Sequence, residues 1–213
     1  MQPEFDPRFV VTLAALRKSG ACFEGYNKLV RSIQGETFSA EDADRNSYIR
    51  FKHDADIPLL DILKSNGLDD ALWTLRCVSG ADRDLRLFTV WCARQVEHLM
   101  EDQRSKDALN VAERFANGDA SDEELADAWD AARDAAWAAW ADAGAARAAA
   151  GDAARAAAGD AAGAAAGDAA RAAAWDAAGA AGAAWAAAGD AQAEMFTRMC
   201  LGTAPWQQAK VAA

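Results

Sequence analysis

Residues 147–178 read RAAAGDAA, RAAAGDAA, GAAAGDAA and RAAAWDAA, so one octad occurs four times in succession. Around this repeat, from Ala126 to Ala188, alanine supplies 39 of 63 residues, and because alanine is the strongest helix former the segment predicts helix. Each octad carries one aspartate, and these are Asp152, Asp160, Asp168 and Asp176. The tract offers almost no side chain suited to catalysis, which favours a scaffold or a partner-binding surface over an enzyme.

The octad period determines how these aspartates are arranged. Eight residues advance an α-helix by about 800°, or two turns plus about 80°, so the aspartates wind around the helix. A heptad would instead keep one face and form a coiled coil. Two architectures fit, namely one helix of roughly 95 Å or two to three antiparallel helices. We favour the folded-back arrangement, because alanine faces stabilise little unless they pack over a long length and the glycines from Gly144 to Gly189 supply breaks.

Larger apolar residues are concentrated before residue 118, so a conventional core is expected there. Apolar positions at helical spacing, with glycines near the ends, predict a run of short helices. Their expected ranges are Phe9–Arg17, Ala21–Ile33, Ile57–Leu63, Leu68–Val78, Asp82–Met100 and Ser105–Asn117. Residues 36–56 are polar and predict mainly loop, with room for one helical turn. No segment combines strand alternation with turn chemistry, so we expect no sheet of consequence.

The alanine-rich half begins with a helix signal of its own. Ser121 and Glu124 have the spacing of a capping box, which predicts a helix that reaches at least Asp142. Three tryptophans lie on nearby faces of that helix, and they are Trp129, Trp137 and Trp140. We expect this cluster to dock the alanine-rich half onto the leucine-rich half.

The predicted architecture is all-α and has three regions. Residues 1–118 form a leucine-rich helical domain, residues 119–201 form the alanine-rich octad region, and residues 202–213 form a loose tail. Within the second region, residues 191–201 regain larger apolar side chains and predict a terminal helix that returns to the core. Trp206 is the expected anchor of the tail.

Charge is distributed unevenly along the chain. Residues 1–117 contain 16 Lys+Arg and 19 Asp+Glu, and residues 118–213 contain 6 and 14, so net charges of −3 and −8 make up the total of −11. An acidic surface disfavours direct binding to a phosphate backbone and suits a basic partner protein. Charges every few residues exclude a membrane span in the octad tract. The N-terminus lacks the pattern of a secretion signal, so we expect a soluble, cytoplasmic protein.

Residues that could carry chemistry are few. No motif for phosphate or dinucleotide binding, zinc hydrolysis or a serine nucleophile occurs. We interpret His98 as structural, and His53 as part of a solvated loop rather than a metal site with Asp54 and Asp56. Cys92 is expected to be a small buried hydrophobe, and the four cysteines to be reduced, buried thiols. The sequence therefore predicts no catalytic residue, no metal and no cofactor.

Three stretches carry a resemblance to known proteins. They read NGLDDALWTLR from Asn66, DRDLRLFTVWCARQVEHLM from Asp82 and DQRSKDALNVAERFANGDASDEELADAWDAARDAAWAA from Asp102. This part resembles alanine-rich proteins of tailed bacteriophages and prophages, and it is similar to a group of bacterial immunity proteins. Those proteins pair a leucine-rich segment that has a Cys-Ala-x-x-Val core with alanine-rich helices. The resemblance covers about residues 10–145, and the octads match in composition only. It implies an all-helical protein that acts by binding.

Residues and resemblance together predict a non-enzymatic protein that binds and neutralises a protein partner. The partner would be a host defence component or a cognate toxin, in the host cytoplasm if the gene belongs to a phage. Buried aromatic residues are the usual centres of an interface, so the tryptophans of the tract join its aspartates as the candidate surface. That surface comprises Asp152, Asp160, Asp168, Asp176, Trp175 and Trp185.

Two other classes of function stay open at this point. In the first, the aspartates mimic DNA phosphates, although we prefer to interpret them as a solubilising spiral. In the second, the protein is a sponge for a small signalling molecule held beside Arg147, Arg155 and Arg171. The repeat could also be a local duplication without a function, and alanine and glycine faces would favour a homo-oligomer.

Overall fold

The part of the chain that the structure describes is all-α, as the sequence predicts. A computed structural model describes residues 5–95, 97–99, 102–135, 137 and 187–208. The first elements are β1 (Val10–Val11), α1 (Leu13–Lys18), α2 (Phe23–Gln34), α3 (Ala40–Ala43), β2 (Ile57–Pro58), α4 (Leu59–Asn66), α5 (Leu68–Thr74) and a 3₁₀ turn (Leu75–Cys77). The next are α6 (Asp82–Arg94), a second 3₁₀ turn (Glu97–Leu99), α7 (Gln103–Asn117), α8 (residues 122–135), α9 (residues 187–200) and α10 (Pro205–Gln208).

The contacts divide the chain into two compact units. Unit 1 comprises Met1–Phe88 together with Ala191–Ala213, and unit 2 comprises Thr89–Asp190. The predicted regions had boundaries after residues 118 and 201, so the structure groups the residues differently. It places α7 with the alanine-rich part, and it returns the C-terminal helix to the N-terminal core.

The core of unit 1 combines residues from both ends of the chain. Side chains that are almost completely buried there include Phe9, Tyr26, Leu59, Ile62, Phe196 and Met199. The rings of Phe88 and Phe196 meet edge to face, with 6.2 Å between their centroids. Burying each such side chain stabilises the fold by about 1.5–3 kcal/mol. The predicted return of the terminal helix to the core is therefore confirmed.

The prediction that a helix begins at Phe9 was wrong. Val10 and Val11 form a short antiparallel ladder with Pro58 and Ile57, respectively. The helix starts after Thr12, whose extended backbone and side-chain Oγ1 cap it by accepting from the Ala15 amide at 3.1 Å. Pairing with a distant segment therefore overrides the local apolar pattern. Strand structure also suits the two valines, because they are β-branched.

Three other predicted helices were too long or misplaced at their ends. Pro58 belongs to β2 and precedes α4, rather than lying within its first turn. The predicted helix at Leu68–Val78 gives way to a 3₁₀ turn after Thr74. The predicted helix at Asp82–Met100 ends at Arg94, where the Gln95 amide donates to Cys92 O at 3.3 Å in a 3₁₀-type bond.

The loop of residues 36–56 contains the single helical turn that the sequence allowed, α3. Ser39 caps this turn in a reciprocal capping box with Asp42. The following chain is held by Asn27, which is completely buried on α2. Its Nδ2 donates to Ser47 O at 3.1 Å, and its Oδ1 accepts from the Ile49 amide at 2.8 Å. A polar loop is thus tied to the core by one satisfied amide side chain.

Unit 2 confirms the local signals around residue 118. Gly118 ends α7 in the left-handed conformation, with φ 84°. Ser121 Oγ accepts from the Glu124 amide at 3.1 Å, and the Glu124 carboxylate accepts from the Ser121 amide at 2.8 Å, which confirms the capping box. The predicted extension to Asp142, and Trp140 with it, lies outside the described residues.

Candidate functional site

The residues predicted to form the interaction surface do not enter the described part of the chain. Asp152, Asp160, Asp168, Asp176, Trp175 and Trp185 all lie between residues 138 and 186, outside the described residues. The same holds for the three arginines proposed to hold a small molecule. Their role stays a prediction, and the candidate site is built from residues that the structure places.

The described part of unit 2 contains an apolar groove of about 440 Å³, formed by α6, α7 and α8. We call it the Trp129 groove. Its apolar walls include Val90, Ala93, Leu109, Ala112, Trp129 and Ala132. Each helix contributes positions spaced three or four apart, so the local sequence places small or apolar side chains on one face. The alanine side chains of the walls are short, so the indole of Trp129 is the largest side chain that lines the groove.

Trp129 is 69% exposed although it lines this groove. Trp137 is 64% exposed. Tryptophan is usually well buried, and a large exposed apolar side chain beside an apolar groove indicates a contact surface. Whether this cluster docks the alanine-rich half onto the leucine-rich half stays a prediction, because Trp140 and residues 138–186 lie outside the described residues.

The surroundings of the groove are acidic. The helix α8 carries six carboxylates and one arginine, so its charge is strongly negative. That arginine, Arg133, forms an ion pair with Asp130 at 2.9 Å. Surface pairs of this kind contribute little to stability, but this pair leaves no excess positive charge at the groove wall.

Ion pairs also hold the other arginines near this surface. The Arg94 guanidinium donates to Glu113 at 2.8 Å and to Glu97 at 3.0 Å. These carboxylates, Glu113 first, raise the pKa of Arg94. The amide of Ser121 and then the guanidinium of Arg114 lower the pKa of Glu124, so that carboxylate keeps its charge. Arginines therefore offset the charge of these carboxylates, and the excess of negative charge beside the groove comes from α8.

The groups that might perform chemistry are unfavourably placed. Burial raises the pKa of Cys92, next to the groove residue Ala93, so its thiol is a poor nucleophile. Cys92 was expected to be buried, and it is half-buried. His98 was expected to pack near apolar residues, but it is exposed in a 3₁₀ turn. His53 stacks on Phe51 with 5.7 Å between centroids. Among the described residues, no three His, Cys, Asp or Glu side chains gather to hold a metal.

The cysteines differ in exposure. All four are free thiols, and Cys200 is buried, whereas Cys22 is exposed. The expectation of buried thiols is therefore confirmed for Cys200 and wrong for Cys22, while Cys77 and Cys92 are half-buried. Its Sγ caps α2 by accepting from the Gly25 amide at 3.3 Å, which explains why a cysteine stands where serine is more usual.

Comparison with family models, curated proteins and solved structures found no match to this chain. No helix in the described ranges has both the length and the apolar character needed to cross a bilayer.

The groove was not predicted from the sequence, although Trp129 stands out there. The signal was present, since Trp129 and Ala132 share a helix face and the opposite positions are charged. What could not be predicted is that residues from α6 and α7 form the other walls, because that depends on packing between distant segments.

Proposed function

We propose that this protein acts by binding another protein and that the Trp129 groove is its docking surface. The observation that carries the proposal is the exposure of the Trp129 indole against an apolar groove of about 440 Å³. Tryptophan is strongly enriched among residues whose truncation weakens an interface, and such residues pair with pockets. Exposure of this indole to water does not stabilise unit 2. A partner that covers the indole gains the free energy of burying its apolar surface.

The acidic border defines the chemistry of the partner. Carboxylates on α8 favour a partner with lysine or arginine beside its apolar contact residues, because complementary charge speeds encounter and sets orientation. An apolar groove between helices is the usual acceptor of an amphipathic helix. The proposed partner is therefore a basic protein that places one apolar helix face in the Trp129 groove.

The finer role is neutralisation of this partner in the cytoplasm. It rests on the resemblance of about residues 10–145 to phage proteins and bacterial immunity proteins, which implies action by binding. The raised pKa of Cys92 favours the same conclusion, since the thiol beside the groove is poorly suited to covalent chemistry. A defence component and a toxin are both targets that a stoichiometric binder would block.

A DNA mimic is the second candidate, and the six carboxylates of α8 favour it. A mimic would occupy the nucleic-acid site of its target, so duplex DNA would compete with it. Its binding would also fall steeply with salt. The Trp129 groove predicts instead a contact that keeps an apolar component at high salt.

Affinity capture from host lysate, with nuclease present, tests the proposal when three forms of the protein are compared. The wild type is expected to retain one basic protein in stoichiometric amount. Trp129→Ala should weaken that retention at least tenfold, which corresponds to about 1.4 kcal/mol. The matched control is Phe23→Ala, which truncates a 40% exposed aromatic residue of unit 1 and should leave retention unchanged.

Three outcomes would contradict the proposal. Retention that does not depend on Trp129 would remove the groove from the interface. A captured protein displaced by duplex DNA would favour the mimic. A second copy of this chain as the occupant, detected as a concentration-dependent dimer that Trp129→Ala dissociates, would replace the partner by self-association.

A further inference from the structure

Unit 1 contains a cavity that is independent of the Trp129 groove and of the proposed function. It has a volume of about 240 Å³ and lies among α1, α2, α4 and α5. Its apolar walls are formed by Leu16, Tyr26, Leu29, Ile62 and Trp73. An apolar cavity of about 150 Å³ accepts benzene. This one is therefore large enough for an aromatic ring with a short side chain.

The polar side chains that line the cavity include Asn66 and Asp70. The Asn66 Nδ2 donates to Gly25 O and to Asp70 Oδ2, both at 2.7 Å. The Asn66 Oδ1 accepts from Ser65 Oγ at 2.7 Å, so the orientation of the amide is defined. Asn66 thus holds the Asp70 carboxylate in one position, four residues further along the chain.

The Asp70 carboxylate has spare capacity to accept hydrogen bonds. Its Oδ2 accepts from Asn66, while Oδ1 accepts from none of the residues that the structure describes. The carboxylate lies in the first turn of α5, where the helix dipole favours negative charge. An ionised carboxylate with a free oxygen at an apolar cavity is suited to a cationic donor.

Gly25 allows the carboxylate to approach α2 closely. A Cβ at this position would lie 2.7 Å from Asp70 Oδ2 and 3.2 Å from Cys22 Sγ, and the first of these distances forces a shift. Glycine inside a helix costs about 0.5–1 kcal/mol relative to alanine. The close approach of Asp70 explains why a glycine, rather than a residue with a Cβ, stands at the third position of α2.

The charged residues at and near the cavity indicate whether it favours a cationic or an anionic ligand. None of the described side chains that line it is Lys, Arg or His. Nearby, the guanidinium of Arg17 is engaged with the Tyr26 hydroxyl, and the Lys28 ammonium lies 3.5 Å from Asn66 O. The hypothesis of a small-molecule sponge required basic residues for an anionic ligand. This cavity carries a carboxylate instead and disfavours nucleotides.

We propose that this cavity binds a small arylalkyl amine, with its ring among Leu16, Tyr26 and Ile62 and its ammonium donating to Asp70. The apolar walls supply most of the affinity, and the single carboxylate supplies the preference for a cation. No covalent step is involved.

The experiment compares benzylamine, phenethylamine and tryptamine with their neutral alcohol counterparts by calorimetric titration. At least one amine is expected to bind ten times more tightly than its alcohol. Asp70→Asn should remove this preference, because an amide can still accept from Asn66 but carries no charge. Asp69→Asn is the matched control, since Asp69 is exposed beside Asp70 and does not line the cavity.

Cys22 provides a second measurement at the same site, because it lines the cavity and is exposed. A bound amine should slow alkylation of Cys22 and leave Cys77, which does not line the cavity, unaffected. Equal binding of amines and alcohols, or no saturable binding of any probe to folded protein, would overturn the proposal. Binding that leaves the Cys22 rate unchanged would also overturn it, because the amine would then lie elsewhere.

Discussion

The indole N–H of Trp206 donates to Asp84 Oδ1 at 3.0 Å, although the two residues are 122 positions apart. The other oxygen of this carboxylate accepts from Arg8 Nη1 at 2.8 Å. Asp84 is only 4% exposed. One buried carboxylate on α6 therefore joins the N-terminal segment and the C-terminal segment of unit 1. Its hydrogen bond with Arg8 is strengthened by charge on both the donor and the acceptor.

Removing this carboxylate should destabilise unit 1. Asp84→Ala is expected to lower the free energy of unfolding by about 2–3 kcal/mol. This cost is small for the loss of one partner of a buried ion pair, because Arg8 is partly exposed. Trp206→Phe loses one hydrogen bond and should cost about 1 kcal/mol. Urea unfolding curves measure both values. The exposed loop variant Asp56→Ala is the control, and equal effects of Asp84→Ala and Asp56→Ala would contradict the role assigned to Asp84.

The ion pair of Arg31 and Asp42 should make stability depend on pH. The Arg31 guanidinium, at 2.8 Å, holds the pKa of Asp42 well below its usual range, and hydrogen bonds from Ser39 act in the same direction against the opposing effect of burial. A lowered native pKa means that the unfolded chain binds more protons, so stability rises with pH. The loss begins as the pH falls through the ordinary aspartate pKa of about 4 and continues towards the lower native value.

Urea midpoints at about pH 6 and about pH 3 test this dependence. Between these two pH values, the urea midpoint of the wild type should fall further than that of Asp42→Asn. Asp44→Asn, an exposed neighbour on the same loop, should keep the wild-type slope. Identical slopes for wild type and Asp42→Asn would show that this carboxylate does not govern acid stability.

The thiols should differ in their rates of alkylation. Cys22 is exposed and should react first with iodoacetamide, as followed by peptide mass spectrometry. Burial, with a smaller effect of the Asp6 charge, raises the pKa of Cys200 to about 12, so this thiol should react only after unfolding. Cys22→Ser should abolish the fast phase. Early modification of Cys200 in folded protein would contradict the burial of the terminal helix.

Local signals predicted the elements that depend on local chemistry. The C-cap at Gly118 and the capping box of Ser121 and Glu124 were correct, because each is complete within a few residues. Thr12 was available as an N-cap in the same way, and using it would have moved the first helix to its observed start.

Features that require distant residues could not be predicted. Val10 and Val11 pair with a strand more than forty positions away, as the register with Ile57 shows. The cavity of unit 1 depends on the approach of Asn66 and Asp70 to a glycine on α2, and no spacing along the chain encodes that approach. The Trp129 groove is of the same kind, since its walls come from three helices.

Site-specific photo-cross-linking is the most direct test of the central claim that the Trp129 groove docks a basic protein. A benzophenone amino acid in place of Arg133, which lines the groove and is exposed, reports what lies against it during binding in the cell. We expect a cross-link to one basic protein from this position, which Trp129→Ala abolishes, and none from the same probe at exposed Ala14 of unit 1. Cross-linking to the same protein from Ala14, or persistence of the Arg133 cross-link in Trp129→Ala, would contradict the account.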